Sequence, residues 1–289
     1  MTDTRAGAIG VIGGSGLYEM DGLESIDRVE IDTPYGDPSD AFITGVLAGQ
    51  NMVFLPRHGV GHRLLPHEIN FRANIWGMKK LGVERIISVS AVGSMKEEIE
   101  PGRLVFVDQF IDRTRHRPST FYGDGLVVHV PMADPVSPPL REALVRSAGD
   151  IPHQDGGTYL CIEGPQFSTR AESFLYRKWG VDVIGMTNMP EARLAREAEI
   201  AYATIALATD YDCWHEEEES VSVDAVLEIL RKNVEKAKSV IDAYVRGPRE
   251  PLCEMSSTAV RTSMLTPVDR IPDERRRALE PILGPFVRG

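Results

Sequence analysis

Cysteine is scarce in this sequence of 289 residues, which contains only Cys161, Cys213 and Cys253. An odd number of widely spaced cysteines predicts neither a disulfide framework nor a zinc site, and it is typical of a reducing cytoplasm. The start of the chain lacks a charged leader followed by an apolar core, and no apolar run approaches the ~20 residues of a membrane-spanning helix. We therefore expect a cytoplasmic protein without a membrane anchor.

Basic side chains are also outnumbered, with 32 Lys and Arg residues against 43 Asp and Glu residues and a formal net charge of -11. Nucleic acids and membrane surfaces are themselves negative, so neither is expected as a partner of this acidic chain. Any anionic ligand must be held by local donors against the overall field. The remaining composition, 42% hydrophobic and 26% charged, is that of an ordinary globular protein.

Strand-like apolar runs alternate with helical periodicity along most of the sequence. Unbroken runs such as 85–91 and 201–207 are typical of strands buried on both faces, whereas 138–148 and 222–245 have apolar residues at helical spacing. The pattern predicts an α/β fold with a central sheet flanked by helices. No repeat or linker divides the sequence, so we expect a single domain over 1–289, with a peripheral Pro- and Arg-rich tail after about residue 246.

A pair of carboxylates, Asp210 and Asp212, follows the apolar run 201–207. Side chains two residues apart on an extended segment point the same way, so both could face one ligand. If their environments push their pKa values apart, one carboxyl can donate a proton while the other accepts. The structural alternative is an Asp-rich turn at a strand end, with Trp214 packed beside it.

Hydroxyl and cationic side chains follow several other predicted strands. Functional groups in open α/β sheets collect beyond the carboxyl ends of strands. The glycine-rich turn 13–16 lacks both the spacing of a dinucleotide site and the lysine of a P-loop. Hydroxyls, backbone amides and a guanidinium without a metal-ligand cluster predict a site for a free inorganic anion. Each residue alone also has a structural explanation, but their recurrence at strand ends favours a site. The residues are Ser15, Arg57, His58, Ser90, Ala91 and Ser168.

These residues lie within longer motifs that resemble the trimeric purine nucleoside phosphorylase family, from about residue 8 to residue 245. The matching segments are 13–17 (GGSGL), 56–59 (PRHG), 67–76 (HEINFRANIW), 91–94 (AVGS), 108–114 (DQFIDRT), 162–172 (IEGPQFSTRAE) and 185–188 (GMTN). Residues 209–214 (TDYDCW) are similar to the branch of this family that cleaves 5'-methylthioadenosine. So many long motifs in one order are not expected by chance.

The resemblance implies the nucleoside phosphorylase fold, a single α/β domain with a mixed, distorted central sheet, assembled as a homotrimer. It implies phosphorolysis, in which inorganic phosphate attacks the anomeric carbon of a purine nucleoside. For the methylthioadenosine branch the products are adenine and 5-methylthioribose 1-phosphate. Phosphate is a co-substrate, and neither a metal nor another cofactor is expected.

The resemblance also assigns roles to individual residues. The expected phosphate ligands are Ser15, Arg57, His58, Ser90, the backbone of Ala91, Ser168 and Thr187. Met186 is expected to bind the ribose through its backbone and Phe167 to stack near the base. A protonated Asp210 beside purine N7 is expected to act as general acid, a step typically worth ~10²–10⁴-fold, while Asp212 accepts from the 6-amino group.

Residues expected at the 5' end of the nucleoside complete the set. Val223, Val226 and Leu227 begin the predicted helix 222–245 and either line an apolar 5' pocket or form the core stripe of that helix. His129 matches a family position that reaches the site of the neighbouring subunit.

Two other functions remain open. A phosphorylase for 5'-methylthioinosine or another 6-oxopurine nucleoside is one, because Asn188 stands where the methylthioadenosine branch usually has Thr. A non-catalytic nucleoside-binding protein is a more remote alternative.

Overall fold

A computed structural model describes residues 7–14, 16–215 and 223–287. Within helices, the side chains of residues 223–226 and 285–287 are outside this description. Among the described helices, none combines the length and the apolar character that crossing a membrane requires.

One large sheet of eleven strands organises the described part of the chain. The strands are β1 (Ala8–Gly13), β2 (Leu23–Val29), β3 (Phe42–Leu47), β4 (Gln50–Pro56), β5 (Val83–Ser94), β6 (Leu104–Phe106), β7 (Gln109–Arg113), β8 (His153–Asp155), β9 (Thr158–Ile162), β10 (Val183–Gly185) and β11 (Ala201–Asp210). Their main order is β2-β3-β4-β1-β5-β10-β9-β7, while β11 pairs with β5 and β6, and β6 pairs with β8. Parallel and antiparallel pairs both occur, so the predicted mixed sheet is confirmed.

Strand β5 is the branch point of this sheet. It pairs in parallel with β1 and β11, and its last residues, Gly93 and Ser94, pair antiparallel with β10. The register of β11 against β5 shifts between Ala208 and Asp210, which leaves Thr209 as an extra residue. Such a bulge bends a strand and redirects the side chains that follow it.

Nine helices in the described residues accompany the sheet. They are α1 (Phe71–Lys80), α2 (Pro138–Ala148), α3 (Arg170–Lys178), α4 (Asn188–Glu197), α5 (Val223–Arg246), α6 (Glu254–Ser257), α7 (Ala259–Ser263), α8 (Asp273–Ala278) and α9 (Glu280–Val287). Helix α1 begins at Phe71 because Asn70 caps it, accepting a hydrogen bond from the Ala73 N–H. Helix α3 begins at a capping box formed by Thr169 and Glu172.

The helices bury the two faces of the sheet in separate apolar clusters. Alternate residues of β1 divide between them, with Ile12 on one face and Val11 on the other. Trp76 of α1 belongs to the first cluster, while Leu144 of α2 and Val240 of α5 belong to the second. The prediction of a sheet flanked by helices is confirmed.

The tail after residue 246 is not peripheral, which corrects the expectation from composition. Val260, Leu279 and Ile282 are at most 1% exposed and belong to the same cluster as Trp76. The Trp76 indole N–H also donates to the Ala278 carbonyl at 2.8 Å. The high content of Pro and Arg concealed apolar residues spaced along the short helices α7 to α9.

Candidate active site

A cavity of about 420 Å³ lies beyond the carboxyl ends of β1 and β4 and along the last residues of β5 and β11. The residues that follow parallel strands lie at the same edge of a sheet, which explains why residues distant in sequence line one cavity. Most of the residues predicted from the sequence line this one cavity. They are Arg57, His58, Ser90, Ala91, Phe167, Ser168, Met186, Thr187, Asp210 and Asp212.

The cavity has two polar ends, both built on β5. The anion end consists of Arg57, His58, Ser90 and Thr187. The carboxylate end consists of Asp210 and Asp212, which flank Gly93. A Cβ added at Gly93 would lie 3.1 Å from an Asp210 oxygen and 3.3 Å from the Asp212 Cβ. The absent side chain of Gly93 therefore makes room for both carboxylates.

A chain of buried hydroxyls forms the floor of the anion end. The Ser90 Oγ lies 2.8 Å from the Thr187 Oγ1 and 3.2 Å from the phenol oxygen of Tyr159, which is fully buried. Burial raises the pKa of Tyr159 to about 12, so its phenol stays protonated and can donate. The backbone N–H of Thr187 points to the same phenol at 3.5 Å. If the phenol donates to Ser90 and Ser90 to Thr187, the Thr187 hydrogen is free for an anion.

Sequence reasoning missed Tyr159, since a tyrosine within an apolar strand gives only a core signal. A neighbouring glycine shows how closely the phenol is fitted. A Cβ added at Gly185 would lie 2.0 Å from the Tyr159 phenol oxygen, so this approach requires glycine.

Arg57 lies at the anion end, but it does not present a free guanidinium. Its Nε and Nη2 donate to the two carboxylate oxygens of Glu191 at 2.8 and 3.0 Å. Nη1 donates to the Val89 carbonyl at 2.9 Å and Nη2 also reaches the Ser88 hydroxyl at 2.6 Å. Within the described residues, a single Nη1 hydrogen is left for a ligand. Arg57 therefore lines the cavity while its two-point partner is Glu191.

His58 is half-buried at the same end, in the turn that follows β4. Its Nδ1 lies 2.8 Å from the Leu64 carbonyl oxygen, and its ring stacks on that of His62 with centroids 4.2 Å apart. Burial lowers the pKa of His58 to about 4, with Arg57 and His62 acting in the same direction. The ring is therefore neutral near pH 7.

The carboxylate end does not have the extended geometry expected from the sequence. Asp210 ends β11, whereas Asp212 has a φ of 51° and begins a short 3₁₀ turn. The Asp210 carboxylate accepts from the Asp212 N–H at 2.9 Å and from the Thr209 hydroxyl at 2.7 Å. Turn formation, rather than strand alternation, brings the two carboxylates to one cavity.

The two carboxylates also have different surroundings. Asp212 accepts a hydrogen bond from the Ser173 hydroxyl at 2.5 Å. Burial raises the pKa of Asp212 above its ordinary value, and the negative charge of Asp210 adds to the rise. The raised pKa favours a proton on Asp212, whereas the family resemblance assigned the proton to Asp210. The expected packing of Trp214 is observed, since its indole N–H donates to the Ser94 carbonyl at 2.8 Å.

Ser168, Phe167 and Met186 also line the cavity. The Ser168 Oγ is buried and has no hydrogen-bond partner among the described residues, as expected of a group that meets a ligand. Phe167 is 84% exposed, so its ring is open to a flat ligand at the cavity mouth. The Met186 backbone carbonyl accepts from Arg117 Nη1 at 2.7 Å, which fixes the backbone beside the cavity.

An apolar wall closes one side, formed by Leu17, Leu207, Leu230 and Val234. Helix α5 supplies two of these residues, but not those expected. Leu227 is 41% exposed and does not line the cavity, and the side chains of Val223 and Val226 lie outside the described residues. The helix and its apolar stripe were predicted correctly, and among its described side chains Leu230 and Val234, rather than Leu227, line the cavity.

Two further residues singled out in the sequence do not line the cavity, and Ser15 lies outside the described residues. His129 is exposed and does not line the cavity of its own chain. Asn188 is buried away from the cavity lining, donating to the Ser88 hydroxyl at 2.9 Å and the Tyr202 phenol at 2.7 Å. Asn188 is therefore not positioned to contact a ligand in the cavity directly. Across the described ranges, no group of three or more His, Cys, Asp or Glu side chains could hold a metal ion.

Sequence comparison identifies relatives over nearly the whole chain. The model of the phosphorylase superfamily matches residues 8–246. The S-methyl-5'-thioadenosine phosphorylase of Geobacter sulfurreducens is 60% identical over 96% of this chain and 99% of its own length. The enzyme of the same name from Koribacter versatilis is 53% identical over 96% of both chains.

Solved structures have the same architecture. A methylthioadenosine phosphorylase from an Antarctic soil metagenomic library superposes with a TM-score of 0.91, at 49% identity over 97% of this chain and 100% of its own. A mutant adenosine/methylthioadenosine phosphorylase of Schistosoma mansoni in complex with methylthioadenosine has a TM-score of 0.77, at 37% identity over 83% of this chain and 90% of its own.

Proposed function

The chain belongs to the phosphorylase superfamily, and on that premise we propose that it cleaves 5'-deoxy-5'-methylthioadenosine with inorganic phosphate. The products are adenine and 5-methylthioribose 1-phosphate, which makes the enzyme a pentosyltransferase of the purine nucleoside phosphorylase type. The relatives described above carry this activity in their names. Phosphate is the co-substrate, and the proposed reaction uses no metal or other cofactor.

A single observation carries the proposal: one cavity has a pair of carboxyl groups at one end and hydroxyl groups at the other. Phosphorolysis needs both, because positive charge develops on the sugar while negative charge develops on the departing purine. Phosphate at the anion end stabilises the first charge. A proton from the carboxylate end neutralises the second at purine N7.

The proton is best assigned to the carboxylate pair rather than to one member. Burial raises the pKa of Asp212, which favours a proton on this member, and its hydrogen bond with Ser173 holds its position. Asp210 already accepts from two donors, so it serves as the acceptor for the 6-amino group or takes over the proton once base is bound.

A pair of carboxylates favours a 6-aminopurine over a 6-oxopurine. An ionised carboxylate accepts from the amino group of adenine but opposes the O6 acceptor of hypoxanthine. Asn188, which raised the alternative, is buried with Ser88 and Tyr202 and is not one of the residues that line the cavity. We therefore assign the preference to adenine.

The active assembly that we propose is a cytoplasmic homotrimer acting on small molecules. Support comes from the family resemblance and from His129, which is exposed and does not line the cavity of its own chain. A neighbouring subunit's His129 is the proposed contact of the 5' end. A monomer by light scattering at micromolar concentration that retains full activity would contradict this assembly.

Phosphate dependence tests the proposed reaction directly. Purified enzyme is incubated with 5'-methylthioadenosine, with and without phosphate, and free adenine is measured. Adenine should appear only with phosphate, together with a pentose 1-phosphate. Release without phosphate would indicate hydrolysis, absence of product would favour a binding protein, and a higher kcat/KM for 5'-methylthioinosine would favour the 6-oxopurine alternative.

A further inference from the structure

His58 and Leu64 close the turn after β4 through two reciprocal hydrogen bonds. The backbone N–H of Leu64 donates to the His58 carbonyl at 3.0 Å, and the His58 Nδ1 lies 2.8 Å from the Leu64 carbonyl. Gly59 and Gly61, with φ values of 72° and 79°, allow the tight path between them. The turn therefore fixes both the position and the orientation of the imidazole.

This contact also decides which ring nitrogen carries the hydrogen. A carbonyl oxygen can only accept, so Nδ1 must be the donor. In the neutral ring, Nε2 then holds a lone pair and is itself an acceptor. Of the charged and titratable groups facing the ring, Arg57 and the stacked His62 disfavour a second proton and Glu191 favours one. Burial opposes it most strongly, and the pKa falls to about 4.

We propose that His58 presents Nε2 to the co-substrate as a hydrogen-bond acceptor, so that the site selects oxyanions that carry a proton. The inference rests on the proposed phosphorolysis and concerns how its co-substrate is recognised. Phosphate and arsenate retain a proton near neutral pH and can donate it to Nε2. Sulfate has none, so its oxygens oppose the lone pair unless His58 first takes up a proton.

The consequence is a difference in pH dependence between two anions of the same shape. Sulfate binding requires one proton from solvent, so its dissociation constant rises about tenfold per pH unit from about pH 5 to about pH 7. Phosphate brings its own proton, and its dissociation constant changes little over the same range. At about pH 7, phosphate and arsenate are therefore preferred over sulfate.

The experiment uses the intact enzyme and the anions themselves. Titration calorimetry with phosphate, arsenate and sulfate, in two buffers of different ionisation enthalpy, gives the affinity and the number of protons taken up. Near pH 6, sulfate should take up about one proton per site and phosphate close to none. Sulfate inhibition against phosphate gives the same dissociation constants from kinetics.

Two variants separate His58 from its stacked neighbour. His58→Gln removes the titrating ring and should flatten the sulfate curve, leaving phosphate and sulfate within a few-fold of each other. His62→Gln is the matched control, because it removes the other histidine but leaves the hydrogen bonds between His58 and Leu64. The steep sulfate curve should persist in this variant.

The outcomes are distinct. Phosphate-dependent cleavage with pH-independent sulfate binding would overturn this inference and leave the proposed function intact. A sulfate curve that flattens in His62→Gln but not in His58→Gln would also overturn it. Cleavage that does not depend on phosphate would instead overturn the proposed function.

Discussion

Arg57 of the anion end and Glu191 form a two-point ion pair, with Nε–Oε2 and Nη2–Oε1 distances of 2.8 and 3.0 Å. Both side chains are at most 2% exposed. The Ser88 hydroxyl and the Tyr202 phenol also donate to Glu191, at 2.8 and 2.9 Å. Because Glu191 neutralises Arg57 and His58 is neutral, the proposed phosphate site relies mainly on uncharged donors. This arrangement explains how an acidic chain can form an anion site.

Removal of either member of this pair should destabilise the protein strongly. Arg57→Ala or Glu191→Ala leaves a buried, uncompensated charge, at a cost of about 3–5 kcal/mol in the free energy of unfolding. The double substitution should cost clearly less than the sum of the two, because neither charge then remains. Urea unfolding measures all three variants. Glu228→Gln, which breaks the exposed pair with Lys232, is the control and should leave stability unchanged.

Asp212→Asn should remove activity while increasing stability near neutral pH. Burial raises the folded-state pKa of Asp212, so ionisation of this group opposes folding. Its contribution to stability is complete below its unfolded pKa and is lost as pH rises through the raised folded value. The unfolding free energies of wild type and variant should therefore diverge as pH increases from acid to neutral. A difference that shrinks with rising pH would contradict this sign.

Tyr159→Phe should weaken phosphate binding and spare the nucleoside. The phenol is the proposed donor to Ser90 in the hydroxyl chain, and one hydrogen bond of this kind corresponds to about a fivefold change in KM for phosphate. Tyr122→Phe is a matched control, because this buried tyrosine donates to the Glu197 carbonyl outside the cavity. Equal effects on both KM values, or an equal effect in the control, would remove Tyr159 from the anion site.

Leu230→Ala should reduce kcat/KM for methylthioadenosine by about tenfold and that for adenosine by less. Leu230 lines the apolar wall, where a methylthio group gains contact that a 5'-hydroxyl does not. Leu227→Ala, on the same helix but 41% exposed, should change neither value. A loss in Leu227→Ala equal to that in Leu230→Ala would place the 5' pocket elsewhere.

Periodicity predicted most of the central elements, because buried strands and amphipathic helices leave strong patterns. The strands missed were β2, β3, β7 and β8. In β2, most residues are exposed, so the sequence lacks an apolar run. In β7, polar residues flank only two apolar ones, so the segment is not a continuous apolar run. Edge strands supported mainly by backbone pairing leave little signal in side-chain hydropathy.

Motifs located the residues that line the cavity, but not those that support them. Glu191 and Tyr159 were missed because their partners, Arg57 and Ser90, are distant in sequence, and only folding brings them together. The choice between Leu227 and Leu230 depends on where along the helix the ligand cavity lies. A stripe of apolar residues at helical spacing does not contain that information.

The two ends of the cavity are mounted on a single strand, with Ser90 at one and Gly93 beside the other. Three residues of extended chain span roughly 10 Å, a length that covalent geometry fixes. The length of this segment of β5 thus sets the distance between the anion end and the carboxylate end. Substitutions can alter which groups are bound at either end of the cavity. The distance between the two ends is set by peptide geometry and changes only if a residue is inserted or removed.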